Sequence, residues 1–100
     1  MAIDNPLMRI AAEVGSDLYS GAATYSTADG TLKKDTRAII IRADQAAMIT
    51  AISLNIDGTA TVQTGLNLVG ADLLAGDLFT FPYEISSITI TGGSFIGYRG

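Results

Sequence analysis

Proton transfer near neutral pH is carried most often by histidine, and thiol catalysis or thiolate metal binding requires cysteine. This chain of 100 residues has neither. Acid–base work would fall to carboxylates, lysines or tyrosines with displaced pKa values. A glycosidase-like pair needs two acids facing one another at about 5 to 10 Å. Asp29, Asp57 and Asp77 each stand beside a glycine, a setting that turn geometry explains without chemistry. No G-x-S-x-G elbow occurs, and Ser20-Gly21 and Ser26 lie in polar sequence without a candidate base. The aspartates lack the D-x-[DN]-x-[DN]-G spacing that wraps calcium. Gly92-Gly93 leads into a strand rather than a helix, so it does not read as a phosphate cradle. The expectation is a non-enzymatic chain with no catalytic residue, no metal ligand and no cofactor.

The aromatic residues could form a sugar or base platform. Phe79, Phe81 and Phe95 alternate within strand-like runs and read as core, whereas Tyr19, Tyr25 and Tyr98 are the candidates for an exposed or interface role. A net charge of −4, with six basic residues scattered apart from Lys33 and Lys34, argues against nucleic acid as partner. No run of 18 or more apolar residues exists, and Met1 to Pro6 lacks the basic start of a secretory signal. A soluble product made in the cytoplasm, with no membrane partner, is expected.

Hydrophobic residues make up 48% and charged residues 16% of the chain, against about 25% charged in typical soluble domains. A chain of this length supports one core. Apolar surface in excess of that core must be exposed or covered by other copies or partners, which points to a symmetric homo-oligomer, a trimer in the simplest reading.

The elements that would position any site are short strands and tight turns from Arg37 onward. Arg37 to Ala43 sets three isoleucines between two arginines, as suits a strand covered on both faces at its middle. In Met48 to Ile56 the even positions Met48, Ile52, Leu54 and Ile56 are apolar, and Ile49 and Thr50 break the alternation. Asp57-Gly58 suits a type I′ hairpin turn, after which Thr59 to Thr64 pairs back. Gly65 to Gly76 fits a short strand, a helical turn or an apolar loop equally well. Leu78 to Phe81 reads as a strand stopped by Pro82, at an edge or a strand end. Ile85, Ile88 and Ile90 form the next strand, with Ser86-Ser87 hinting at a bulge. Gly92-Gly93 is expected to be a second two-residue hairpin turn before the final strand, Ser94 to Tyr98.

Residues 1–36 are rich in small and polar types. Pro6 to Val14 fits one short helix, since Leu7, Ile10, Ala11 and Val14 share a face, and Gly15 would stop it. The expected division is an amino-terminal arm, extended or partly helical, over 1–36 and a β-sandwich or jelly-roll core over 37–100. The arm offers Ile3, Leu7, Met8, Ile10, Val14, Leu18, Tyr19 and Tyr25 as partner or oligomer contacts, joined by Tyr98, while Asp57, Gly58, Gly92 and Gly93 serve as turn formers. First strands of the same sandwich are the alternative for this segment.

The segment Leu74-Ala-Gly-Asp-Leu-Phe-Thr-Phe-Pro82, followed by Ile85-Ser-Ser-Ile-Thr-Ile-Thr-Gly-Gly-Ser-Phe-Ile-Gly-Tyr98, resembles the carboxy-terminal end of many small virion proteins of tailed phages. The resemblance covers roughly Arg37 to the end. It implies an all-β antiparallel sandwich or jelly roll of about seven short strands, of the kind used as capsid decoration, head-fibre or spike-base proteins, usually as trimers. The implied location is the capsid surface of a virion, and the implied partner is the major capsid protein or another virion protein. No functional residue travels with the motif. A receptor- or carbohydrate-binding module of a tail fibre or baseplate is the alternative function.

Overall fold

The computed structural model describes residues 15–64 and 66–99. Its elements are β1 (Ser16–Ser20), β2 (Ala23–Ser26), β3 (Thr36–Ala43), β4 (Ile49–Ile56), β5 (Thr59–Val62), β6 (Leu78–Thr80), β7 (Ile85–Ile90) and β8 (Ser94–Arg99). No helix occurs among the described residues. The strands form two four-stranded sheets, ordered β1-β8-β3-β6 and β2-β7-β4-β5, and every pairing is antiparallel. Consecutive strands change sheet at each connection except β4 to β5, which gives an eight-stranded double-sheet jelly roll. The described residues are all-β as expected, with eight strands among them rather than about seven.

Period-two alternation fills the space between the sheets. Tyr19, Ile39, Ile41 and Phe95 point in from one sheet, and Ile49, Ile52, Leu54, Ile85, Ile88 and Ile90 from the other. Met48, Leu32, Leu68 and Leu73 close the core from the connections. The irregular stretches of sequence are bulges. Ile49 pairs with Ile90 and Ala51 with Thr89, so Thr50 is the extra residue that lets both Ile49 and Ile52, three positions apart, be buried. Ser53 pairs with Ser87 and Leu54 with Ile85, which makes Ser86 the inserted residue of the Ser86-Ser87 pair. Arg37 and Arg42 sit at the two register shifts that bracket the isoleucines of β3.

Asp57 and Gly58 both take positive φ, 52° and 82°, and turn β4 back into β5. The expectation at Gly92-Gly93 is corrected. Only Gly93 has positive φ, 74°, and the link carries the chain from β7 in one sheet to β8 in the other. A glycine pair can bend a chain into a hairpin or around a corner. Here burial decides, because Phe95 reaches the core only when β8 lies between β1 and β3. A Cβ on Gly93 would collide with the Ala43 carbonyl oxygen, and Gly21 N–H donates to Gly93 O at 3.0 Å.

The division at residue 36 is also corrected. β1 pairs with β8 and β2 with β7, so residues 16–26 supply one edge strand to each sheet. Aromatic packing replaces the missing aliphatic residues there. The Tyr19 ring stacks on Phe95 at 5.0 Å and meets Tyr25 edge-on at 5.3 Å.

Candidate binding groove

The opposite edges of the two sheets, β5 and β6, are only four and three residues long and do not close the sandwich. Between them lies a groove of about 520 Å³. Alternation along β6 and its extension turns Phe79 and Phe81 inward, where both pack against the core while lining the groove. Leu54 and Ile56 line it from β4, and Leu66 and Leu68 from the connection that crosses between the sheets. Asn67, Gln63 and Tyr83 supply the polar rim, and among the described residues no charged side chain lines the groove. Of the large apolar residues that stay exposed, Leu78 and Tyr83 belong to this groove, and Val62 ends β5 beside Gln63.

The rim is fixed by hydrogen bonds at the end of β6. Phe81 N–H donates to Arg37 O at 2.8 Å, and Arg37 Nη1 donates to Pro82 O at 3.1 Å. Glu84 then ties this segment to two others, accepting from Asp35 N–H at 2.6 Å and from Asn55 Nδ2 at 3.1 Å. The Asp35 N–H, followed by Asn55, holds the Glu84 carboxyl below the usual carboxylate range despite some desolvation.

The comparisons with known proteins return no matching family model, no matching curated protein and no matching solved structure.

The carboxylates singled out in the sequence lie in turns. Asp29 accepts from Thr31 Oγ1 at 2.6 Å and Thr31 N–H at 3.0 Å, and these bonds lower its pKa. Asp57 occupies the β4–β5 turn, and Asp77 accepts from Leu74 N–H at 2.8 Å. Among the described residues no three His, Cys, Asp or Glu side chains gather as metal ligands would.

The contacts expected of Tyr19 and Tyr25 are corrected. Tyr19 is 6% exposed and belongs to the core. Its hydroxyl accepts from Lys33 N–H at 3.0 Å, and burial pushes its pKa up. Tyr25 packs against the same cluster, its hydroxyl reaching the carbonyls of Ser20 at 2.7 Å and Gly21 at 2.9 Å. Tyr98 is 9% exposed. The Tyr19 and Tyr25 rings fill space near the β1–β2 end, where large aliphatic residues are few. Leu18 remains exposed at 53%, whereas Ile3, Leu7, Met8, Ile10 and Val14 lie outside the described residues. The groove residues Leu54, Ile56, Leu66, Phe79 and Phe81 were not singled out as a site. The one signal for them was Pro82, which marks an edge where a sandwich can open.

Proposed function

We propose that this chain is a non-enzymatic structural protein of a tailed-phage virion, a capsid decoration or head-fibre or spike-base domain that binds the particle surface as a homo-oligomer, a trimer in the simplest case. The observation that carries this reading is the β5–β6 groove: a mostly apolar cleft lined by Leu54, Ile56, Leu66, Phe79 and Phe81, with the exposed Leu78 and Tyr83 at its rim. Such a cleft suits an apolar segment of a protein neighbour, whether a second copy or the major capsid protein. The jelly-roll order is a further support, since capsid domains use this fold repeatedly. Repetition over a symmetric lattice then strengthens individually weak contacts. Light scattering at micromolar concentration, combined with co-sedimentation on particles lacking this protein, tests the reading. Binding that is lost in Phe81→Asp and Leu78→Asp supports it. A monomer that fails to bind particles refutes it.

A carbohydrate- or receptor-binding role is the second reading, favoured by the exposed Tyr83 ring beside the Asn67 and Gln63 amides at the groove rim. Saturable binding on a glycan array that disappears in Tyr83→Ala would select it.

A further inference from the structure

The sequence holds two Asp-Gly dipeptides, Asp29-Gly30 and Asp57-Gly58. Aspartate before glycine has a covalent chemistry of its own, because no side chain on the glycine obstructs the approach of its nitrogen to the aspartate carboxyl. The nitrogen attacks Cγ, the N–Cγ bond forms, and the carboxyl hydroxyl leaves with the amide proton as water, closing a five-membered succinimide. A solvent water then reopens the ring at either carbonyl. Opening at the main-chain carbonyl routes the chain through the side chain. The product, isoaspartate, has the same composition but one more methylene in the backbone.

The fold treats the two dipeptides differently. The Asp29 carboxylate accepts from Thr31 Oγ1 at 2.6 Å and from Thr31 N–H at 3.0 Å. These bonds lower its pKa and keep it ionised, without the hydroxyl that ring closure expels. Its turn is locked on both sides, by Leu32, which is 1% exposed and donates its N–H to Ser26 O at 3.0 Å, and by Thr27 N–H on Ser86 O at 3.0 Å. Asp57 and Gly58 are exposed, and among the described residues the Gly58 N–H donates to no carbonyl. A Cβ on Gly58 would meet nothing within 4 Å, and Asp57 holds a φ of 52°, a strained value for a residue with a side chain. Ring closure needs rotation about the Asp57 Cα–C bond away from its turn value, so it proceeds from an opened hairpin. Opening is easy here, because β5 is an edge strand of four exposed residues paired only with β4.

We propose that Asp57-Gly58 is a site of spontaneous aspartate isomerisation, and that the isoaspartyl product frees β5 from β4. A two-residue turn has no slack for an extra methylene, so the adjacent pairing of Ile56 with Thr59 is lost first. Ile56 and Gln63 line the groove. The modification therefore loosens that wall whatever the groove binds.

Isomerisation leaves the mass unchanged, so electron-transfer fragmentation of digested peptides, or labelling by an isoaspartyl methyltransferase, reads it. After several weeks in mildly acidic buffer at body temperature, isoaspartate at position 57 should exceed that at position 29 by at least about fivefold. In concentrated urea the two positions should react at similar rates, since only folding distinguishes them. Asp57→Glu, whose longer side chain closes a six-membered ring far more slowly, should abolish the signal at 57, and Thr31→Val should raise the signal at 29. No isoaspartate at 57 in the folded chain, as much at 29, or a ratio that persists in urea overturns the site. In the separated isoaspartyl form, the Gln63 N–H, which donates to Ile52 O at 2.9 Å, should exchange with solvent at least about tenfold faster. Unchanged protection overturns the release of β5.

Discussion

Replacing Tyr19 measures whether β1 belongs to the core. The ring is 6% exposed, stacks on Phe95 at 5.0 Å and meets Tyr25 at 5.3 Å, and the hydroxyl accepts from Lys33 N–H at 3.0 Å. Truncating a buried aromatic residue to alanine costs about 3–5 kcal/mol, including the cavity left behind. Aromatic pairing supplies about 0.5–1.5 kcal/mol of that. Removing the hydroxyl alone, in Tyr19→Phe, leaves the Lys33 N–H without its acceptor and costs about 1 kcal/mol. A domain of this size is stable by only about 5–15 kcal/mol, so Tyr19→Ala removes a large fraction of the total. With a urea slope of about 1.5 kcal/mol/M, the midpoint should fall by about 2–3 M for Tyr19→Ala and by under about 1 M for Tyr19→Phe. Urea titration followed by circular dichroism reads both, and Tyr19→Phe keeps the test alive if the alanine variant does not fold. A Tyr19→Ala midpoint within about 0.3 M of the parent would refute the placement of β1 in the sandwich, because an arm contributes nothing to that transition.

Gly93→Ala should destabilise more than Gly58→Ala, since both positions have positive φ but only Gly93 meets backbone, the Ala43 carbonyl; about 1–2 kcal/mol is expected at Gly58, and thermal melts of the two variants give the order. Glu84 has a folded pKa below its ordinary value, so its contribution is present above the usual carboxylate range and is lost as pH falls through the folded value. Glu84→Gln should therefore flatten the fall of the urea midpoint below about pH 4.5, and an unchanged acid limb would contradict the role of the Asp35 and Asn55 contacts. Leu78→Asp should leave the melting temperature nearly unchanged, because Leu78 is 47% exposed, while weakening self-association or particle binding; sedimentation velocity reads the first and co-sedimentation the second.

Much of the strand map was legible because each strand carries its own local signal. The alternation from Met48 to Ile56, the Asp57-Gly58 turn, the halt at Pro82 and the doubled serine all correspond to features of the fold. Each depends on residues within a few positions of one another. β1 and β2 were less legible because Tyr19 and Tyr25 do the work of aliphatic residues, and their burial depends on Phe95, seventy or more positions away. The groove was hidden for a related reason. Leu54, Leu66 and Phe81 are ordinary core-type residues, and only the shortness of β5 and β6 leaves them lining an opening.

By itself, the sequence determined that the chain is built of β-strands from Arg37 onward, that Asp57-Gly58 reverses it, and that its aspartates in glycine-flanked turns have structural work to do. These are properties of short windows, set by φ preferences and side-chain alternation. The tertiary structure decided which strands are neighbours, that Gly92-Gly93 turns a corner between sheets, and that Tyr19 and Tyr25 pack into the core. A strand's local pattern states which side must be buried but not against what. Long-range pairing of β8 between β1 and β3, fixed by the need to bury Phe95, supplies the missing half.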